Sequence, residues 1–160
     1  LFAEYNSDIM GITLGLEVIP GAADVNNGVK SRSENAQGVS GTDATGAVTR
    51  KAQAEIENVR TIYAELPVGG DGLFLKAGYT MFDLNTLENA ITSSGTYGNT
   101  TDVDGYVLGA GVKMDMSPYV IKFGVEMADY EEISLTSTTS NKIKADLDTV
   151  QAKLSLGYSF

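Results

Sequence analysis

Cysteine, histidine and tryptophan are absent from the 160 residues, and proline occurs only three times. Without cysteine there is no disulfide, thiol nucleophile or thiolate metal site. Without histidine the chain lacks the side chain that most often carries protons near neutral pH, and the usual serine–histidine hydrolase pairing is excluded. An acidic pair such as Asp102 with Asp104 is the residual catalytic option, and no other residue supports it, so no enzyme and no cofactor is expected. Positive charge is also scarce: 11 Lys and Arg stand against 21 Asp and Glu, a net charge of −10. That field repels phosphate backbones, and no basic cluster offsets it, so nucleic acid is not an expected partner. No run approaches the roughly 20 apolar residues of a membrane-crossing helix, and mean hydropathy is −0.05. A transmembrane barrel is untouched by that absence, because its strands alternate apolar and polar residues and average to near neutrality.

Alternation is what the chain does contain. From Leu73 to Phe82, the residues Leu73, Leu75, Ala77, Tyr79 and Met81 share one face, and Lys76, Gly78 and Thr80 the other, with Phe74 and Phe82 breaking the polar side. Tyr106, Leu108, Ala110, Val112, Met114 and Met116 alternate with Val107, Gly109, Gly111, Lys113 and Asp115. A turn at Ser117-Pro118 leads to Tyr119, Ile121, Phe123, Val125 and Met127, set against Val120, Lys122, Gly124, Glu126 and Ala128. The last segment sets Val150, Ala152, Leu154, Leu156, Tyr158 and Phe160 against Gln151, Lys153, Ser155, Gly157 and Ser159. Near the start, Met10 to Val18 alternates likewise, Pro20-Gly21 is read as closing that strand, and Leu1 to Tyr5 as the end of another.

The segment from Ala52 to Leu66 is ambiguous. Val48, Ala52, Ile56, Val59 and Tyr63 fit helical spacing, whereas a strand runs directly into the turn Gly69-Gly70-Asp71-Gly72, which favours the strand. That strand places Glu55, Glu57 and Glu65 on its polar face. It leaves Arg60 on the apolar face, so a bulge or an exit from the apolar layer is required near Asn58. Connections alternate in length. Short turns fall at Asn6–Asp8, Gly69–Gly72 and Ser117–Pro118, and long polar loops at Gly21–Thr49, Asn85–Asp104 and Glu131–Lys142. Small outer-membrane barrels show this asymmetry, with short periplasmic turns and long external loops.

The terminus Leu-Gly-Tyr-Ser-Phe resembles the final strand of bacterial outer-membrane barrel proteins. Leu154, Leu156, Tyr158 and Phe160 stand where that family carries its C-terminal assembly signal. With the strand pattern before it, the chain resembles the small eight-stranded OmpA-like or porin-like barrel family. The resemblance implies a single all-β domain over residues 1–160: a transmembrane antiparallel up-and-down barrel of about eight strands in a bacterial outer membrane. It implies as partners membrane lipid, lipopolysaccharide and the barrel-assembly machinery. Seven strands are counted, including Leu1 to Tyr5, so an ascending strand and an external loop are expected before Leu1.

In this reading Leu75, Tyr79, Leu108, Val112, Ile121, Val125, Leu154 and Leu156 face lipid, and Glu17, Lys76, Lys113, Lys122, Glu126 and Lys153 face the lumen. An eight-stranded barrel is about wide enough to be filled by side chains, so these charges are expected to pair as a plug. The expected role is a structural or surface-interaction protein whose loops meet other cells, phage or a partner. A narrow porin-like channel is the alternative, and a secreted or fibre-forming soluble β-sandwich is the outside reading. Asp102-Val103-Asp104-Gly105 has part of a calcium-loop pattern without its terminal glutamate, and a solvated acidic rim is the expectation there instead of a metal site.

Overall fold

A computed structural model describes residues 1–25, 30–35, 47–89, 98, 100–136 and 142–159. Ten strands follow one another: β1 (Phe2–Asn6), β2 (Thr13–Asp24), β3 (Lys30–Asn35), β4 (Ala47–Pro67), β5 (Leu73–Asn89), β6 (Thr100–Met116), β7 (Tyr119–Tyr130), β8 (Ile133–Thr136), β9 (Lys142–Ala145) and β10 (Asp148–Tyr158). One antiparallel up-and-down sheet runs β1-β2-β4-β5-β6-β7-β10, with β3 also paired to β4 and β8-β9 forming a hairpin of its own. The sheet curls into a half-barrel, so side chains from β10 reach those of β2 across its concave side.

Tight turns fix the register at one end. Gly69 and Gly72 take φ of 70° and 75°, and the Val68 N–H donates to Leu73 O at 2.8 Å. Between β1 and β2 the left-handed positions are Met10 and Gly11, and the Ser7 N–H donates to Ile12 O. The region with helical spacing is a strand: β4 is laddered to β2 on one side and β5 on the other. Neighbour pairing overrides local helix preference here, because each β4 residue gains cross-strand partners on both flanks.

The long connections are more ordered than their polarity predicts. β2 does not close at Pro20-Gly21 but passes through a register shift between Ile19 and Ala22 and continues to Asp24. β3 extends the same line along β4, from Lys30↔Ala52 to Asn35↔Ala47. β5 runs on to Asn89, β8 lies within the stretch read as the loop Glu131–Lys142, and β9 starts at its last residue. β3 is polar throughout and lacks the period-two contrast by which strands are recognised, and β8 and β9 alternate but are only four residues long. The eighth strand expected of a closed barrel is not among the described residues, where seven strands form the path.

Irregularities gather at one level. β4 carries a bulge between Glu57 and Arg60, with Asn58 at φ 54°, where the sequence required one. β6 is shifted against β5 between Phe82 and Leu84, with Asp102 at φ 56°. Together with the Ile19/Ala22 shift in β2, these form a belt across adjacent strands. The β4 bulge inverts the faces beyond it. Ala54 and Ile56 turn towards the concave side, and Glu55 and Glu57, read from the sequence as inward with Glu65, belong to the other face. An inserted residue switches the side of every residue that follows, so a uninterrupted alternation cannot be carried past Asn58.

Candidate functional site

Below the belt, towards the tight turns, the concave face is charged. Lys76 sits 5% exposed on β5, its Nζ 2.6 Å from Glu126 Oε1 of β7 and 3.3 Å from Glu17 Oε2 of β2. Lys153 of β10 joins the same two carboxylates, 2.7 Å from Glu17 Oε1 and 2.8 Å from Glu126 Oε2. A second group centres on Lys122 of β7, which lies 2.5 Å from Glu65 Oε1 of β4 and also pairs with Glu4 of β1. Glu4 in turn accepts the Tyr63 hydroxyl at 2.7 Å. The Tyr63 ring links the two groups, with Lys76 Nζ 3.9 Å from its centroid and Lys122 Nζ 5.8 Å away. Three ammoniums and four carboxylates thus form one network across the interior, contributed by six of the seven strands in the path.

Glycine makes room for the rings. A Cβ at Gly15 would meet the Tyr63 ring at 2.2 Å, and one at Gly111 would meet Phe74 Cζ at 2.5 Å. The rings therefore lie flat on glycine-bearing strands and fill the space that backbone curvature encloses. Nearer the belt, the Thr61 hydroxyl donates to that of Thr80 at 3.0 Å. At the tight-turn end a recess of about 280 Å³ opens between Thr13, Glu65, Phe74, Lys113 and Asp115.

The convex face at the same level is the opposite. Leu108 is 65% exposed, Leu156 70% and Leu154 78%, and Leu14, Leu16, Ile62, Leu75, Val125 and Met127 are exposed beside them. Tyr119 and Tyr158 meet edge to face at 5.9 Å near the tight turns.

Above the belt both faces invert. Phe82, 1% exposed, packs with Leu84, Val103 and Ile133, and Val25, Ala54, Ile56, Val59, Leu135 and Leu147 close round them. Tyr130 stands edge to face on Phe82 at 4.9 Å. The other side carries ions. Arg60 reaches Asp102 at 3.1 Å and Asp83 at 3.6 Å, and the Asn58 amide donates to Asp83 at 2.9 Å. The Asn58 amide, the Asp102 N–H and the Arg60 charge hold the Asp83 carboxyl below its ordinary value. On the β8-β9 hairpin, Lys144 is raised above the usual lysine value by Glu132, 2.6 Å away.

All eight residues expected to face lipid lie on the convex face, Val112 and Ile121 less exposed than the rest. Of the six expected in the lumen, Glu17, Lys76, Lys122, Glu126 and Lys153 make up most of the network. Lys113 stands apart at the mouth, 3.9 Å from Asp115. Glu4 and Tyr63 are members that the lumen reading did not include. Both fall on polar faces of the alternation, but Glu4 lies in a five-residue strand too short to carry a period, and Tyr63 is an aromatic among carboxylates. Of the assembly-signal residues, Leu154, Leu156 and Tyr158 lie on the convex face of β10, and Phe160 falls outside the described residues. Asp102 is engaged by Arg60, and Asp104 accepts the Tyr79 hydroxyl. Among the described residues no group of acidic side chains is arranged to hold a metal ion. Compared with protein families, characterised proteins and solved structures, the chain matches none.

Proposed function

We propose that the chain is an integral outer-membrane β-barrel protein with a plugged lumen, serving as a structural or surface-interaction element through its extended hairpins. One observation carries this reading: at a single level of the sheet, charges are buried on the concave side while leucines are bare on the convex side. In water that arrangement is doubly unfavourable. Ions buried without surrounding solvent cost several kcal/mol each before pairing, and a continuous apolar surface of this extent drives association. In a bilayer the convex leucines are solvated by acyl chains and the charges are withdrawn from them. The tyrosines at the tight-turn end suit an interfacial position, ring in lipid and hydroxyl in water.

A pore is disfavoured by the filling of the interior, where Tyr63, Phe74 and the seven-membered ion network span the space between opposite strands. The protein is expected to be electrically silent in planar bilayers, and the projecting hairpins, β3 with β4 and β8 with β9, are its contact surface. The test is refolding into detergent or lipid followed by electrophoresis with and without boiling, with far-UV circular dichroism. A fast-migrating unboiled band and a β spectrum that require lipid or detergent support the reading. Folding in plain buffer, with the same mobility either way, would end it.

A further inference from the structure

We propose that the ribbon formed by β3 and the far end of β4 binds an anionic polysaccharide carrying sulfate or phosphate esters, through two arginines set directly across the ladder. Lys30 and Arg32 are distant in sequence from Arg50 and Lys51, and strand pairing unites them. Arg32 stands opposite Arg50, and Lys30 opposite Ala52, two places along on the same face. Of the chain's 11 cations and 21 carboxylates, four and two fall within residues 26–54, leaving seven and nineteen elsewhere. A molecule of net charge −10 thus gathers a positive island on one projection. Two of its three arginines form the cross-strand pair, while Lys76, Lys122 and Lys153 serve the interior network.

Like charges directly opposite each other in a sheet are destabilising, so the Arg32–Arg50 register costs the fold unless an anion bridges it. The nearest carboxylates by register are Glu34, opposite Val48, and Glu88, opposite Ala52. Each is one diagonal step from Arg50, and neither stands directly across from a cation. Paired guanidiniums suit a sulfate or phosphate ester, whose several oxygens accept forked donors from both sides. Distance removes the island from the acidic body of the molecule. Eight residues of β4 separate Arg50 from the bulge at Asn58, roughly 26 Å of strand, whereas charges are screened over about 8 Å at physiological salt. Asp83 and Asp102, at the level of that bulge, therefore do not repel an anion held at the ribbon. Composition selects the class of polymer. Residues 26–54 contain no aromatic side chain on which a base could stack, which disfavours nucleic acid. The paired stretches offer only Ala47, Val48 and Ala52 as apolar residues, too little to anchor a folded protein. A hydrophilic polymer held by its ester charges fits what is left.

The inference rests on the contact-surface part of the proposed function and not on its membrane part. The full chain, refolded in a neutral detergent, is titrated with dextran sulfate, and with neutral dextran, polyglutamate and single-stranded DNA for comparison. Saturable binding to dextran sulfate, weaker in salt and tighter than to the other three, is the expected result. The R32Q/R50Q variant is expected to bind at least about tenfold less tightly, with a salt slope lower by about two, one for each cation removed. The R32K/R50K variant keeps the charge, so it should keep the slope and lose several-fold in affinity, because an ammonium does not fork. Arg50→Gln is set against Lys113→Gln, the same change in net charge at the tight-turn end, which should leave binding unchanged. Absence of binding to dextran sulfate, unchanged affinity in either double variant, equal loss from Arg50→Gln and Lys113→Gln, or equally tight binding of polyglutamate or DNA would overturn the inference. Failure of the membrane reading is seen separately, as detergent-independent folding of the unmodified chain, and the same titration then runs in plain buffer.

Discussion

The two storeys of β5 are built on one backbone with opposite rules. From Leu73 to Met81 its convex side is Leu, Leu, Ala, Tyr, Met and its concave side holds Lys76 and Thr80. Two residues further on, Asp83 lies on the convex side and Phe82 and Leu84 on the concave. The upper storey has the polarity of an ordinary water-facing fold with a small dry core. The lower one is that fold inside out, and hydrogen-bonded strands run through both without a break. What differs is the medium each outer face suits, so the polarity of a sheet reports its surroundings more directly than its topology does.

The comparison is broken most severely by removing a partner from inside the lower storey. Lys122→Met leaves Glu65 and Glu4 facing each other without their cation, and is expected to cost about 3–5 kcal/mol in urea unfolding from lipid. The matching cut above is Phe82→Ala, expected to cost about 3–5 kcal/mol by cavity formation in the apolar cluster, whatever the lipid. A sharper contrast uses one strand and one face. Ala77→Arg, midway between the tight turns and the belt, should cost about 2–4 kcal/mol in lipid, whereas Asn85→Arg, above it, should stay within about 0.5 kcal/mol. Equal costs at the two positions would remove the boundary between the storeys.

The smallest effect is a pH dependence outside the apolar band. Because the folded Asp83 carboxyl lies below its ordinary value, its contribution is present above that value, near 4, and is lost as pH falls through the lower folded one. Lys144 has the opposite sign. Its contribution is present below about 10.5 and is lost as pH rises through its raised folded value. Asp83→Asn should flatten the acid limb of the upper storey's stability, followed by hydrogen exchange of β4 to β6, and leave the alkaline limb unchanged.

Alternation was enough to read the antiparallel strands of the lower storey, because there the two faces differ sharply in polarity. Phe82 was the visible sign of the upper one: it broke the polar side of β5, and its ring proves to be the centre of the apolar cluster. The bulge at Asn58 was legible from Arg60 alone, a cation stranded on an apolar face. The inversion beyond it was not, since carrying the pattern on put Glu55 and Glu57 on the wrong side. β3 was illegible because its residues are polar with no contrast between faces, and β8 and β9 because their alternation lasts only four residues each. In the ion network the lysines were legible singly. Their grouping through Glu4 and Tyr63 was not, because it depends on how tightly the sheet curls, which no local spacing encodes.

On the proposed membrane reading, the belt of bulges has a further consequence, for membrane thickness. Between the tight turns and the belt, β5 spans nine residues, Leu73 to Met81. Tilted as barrel strands are, that length covers about 20–25 Å, near the height of an outer-membrane apolar band. Because the shifts in β2, β4 and β6 fall at one level, the band has a sharp upper margin and little capacity to stretch. Refolding into short-chain lipids should therefore be efficient, and should decline as the acyl chains lengthen beyond the distance those nine residues reach.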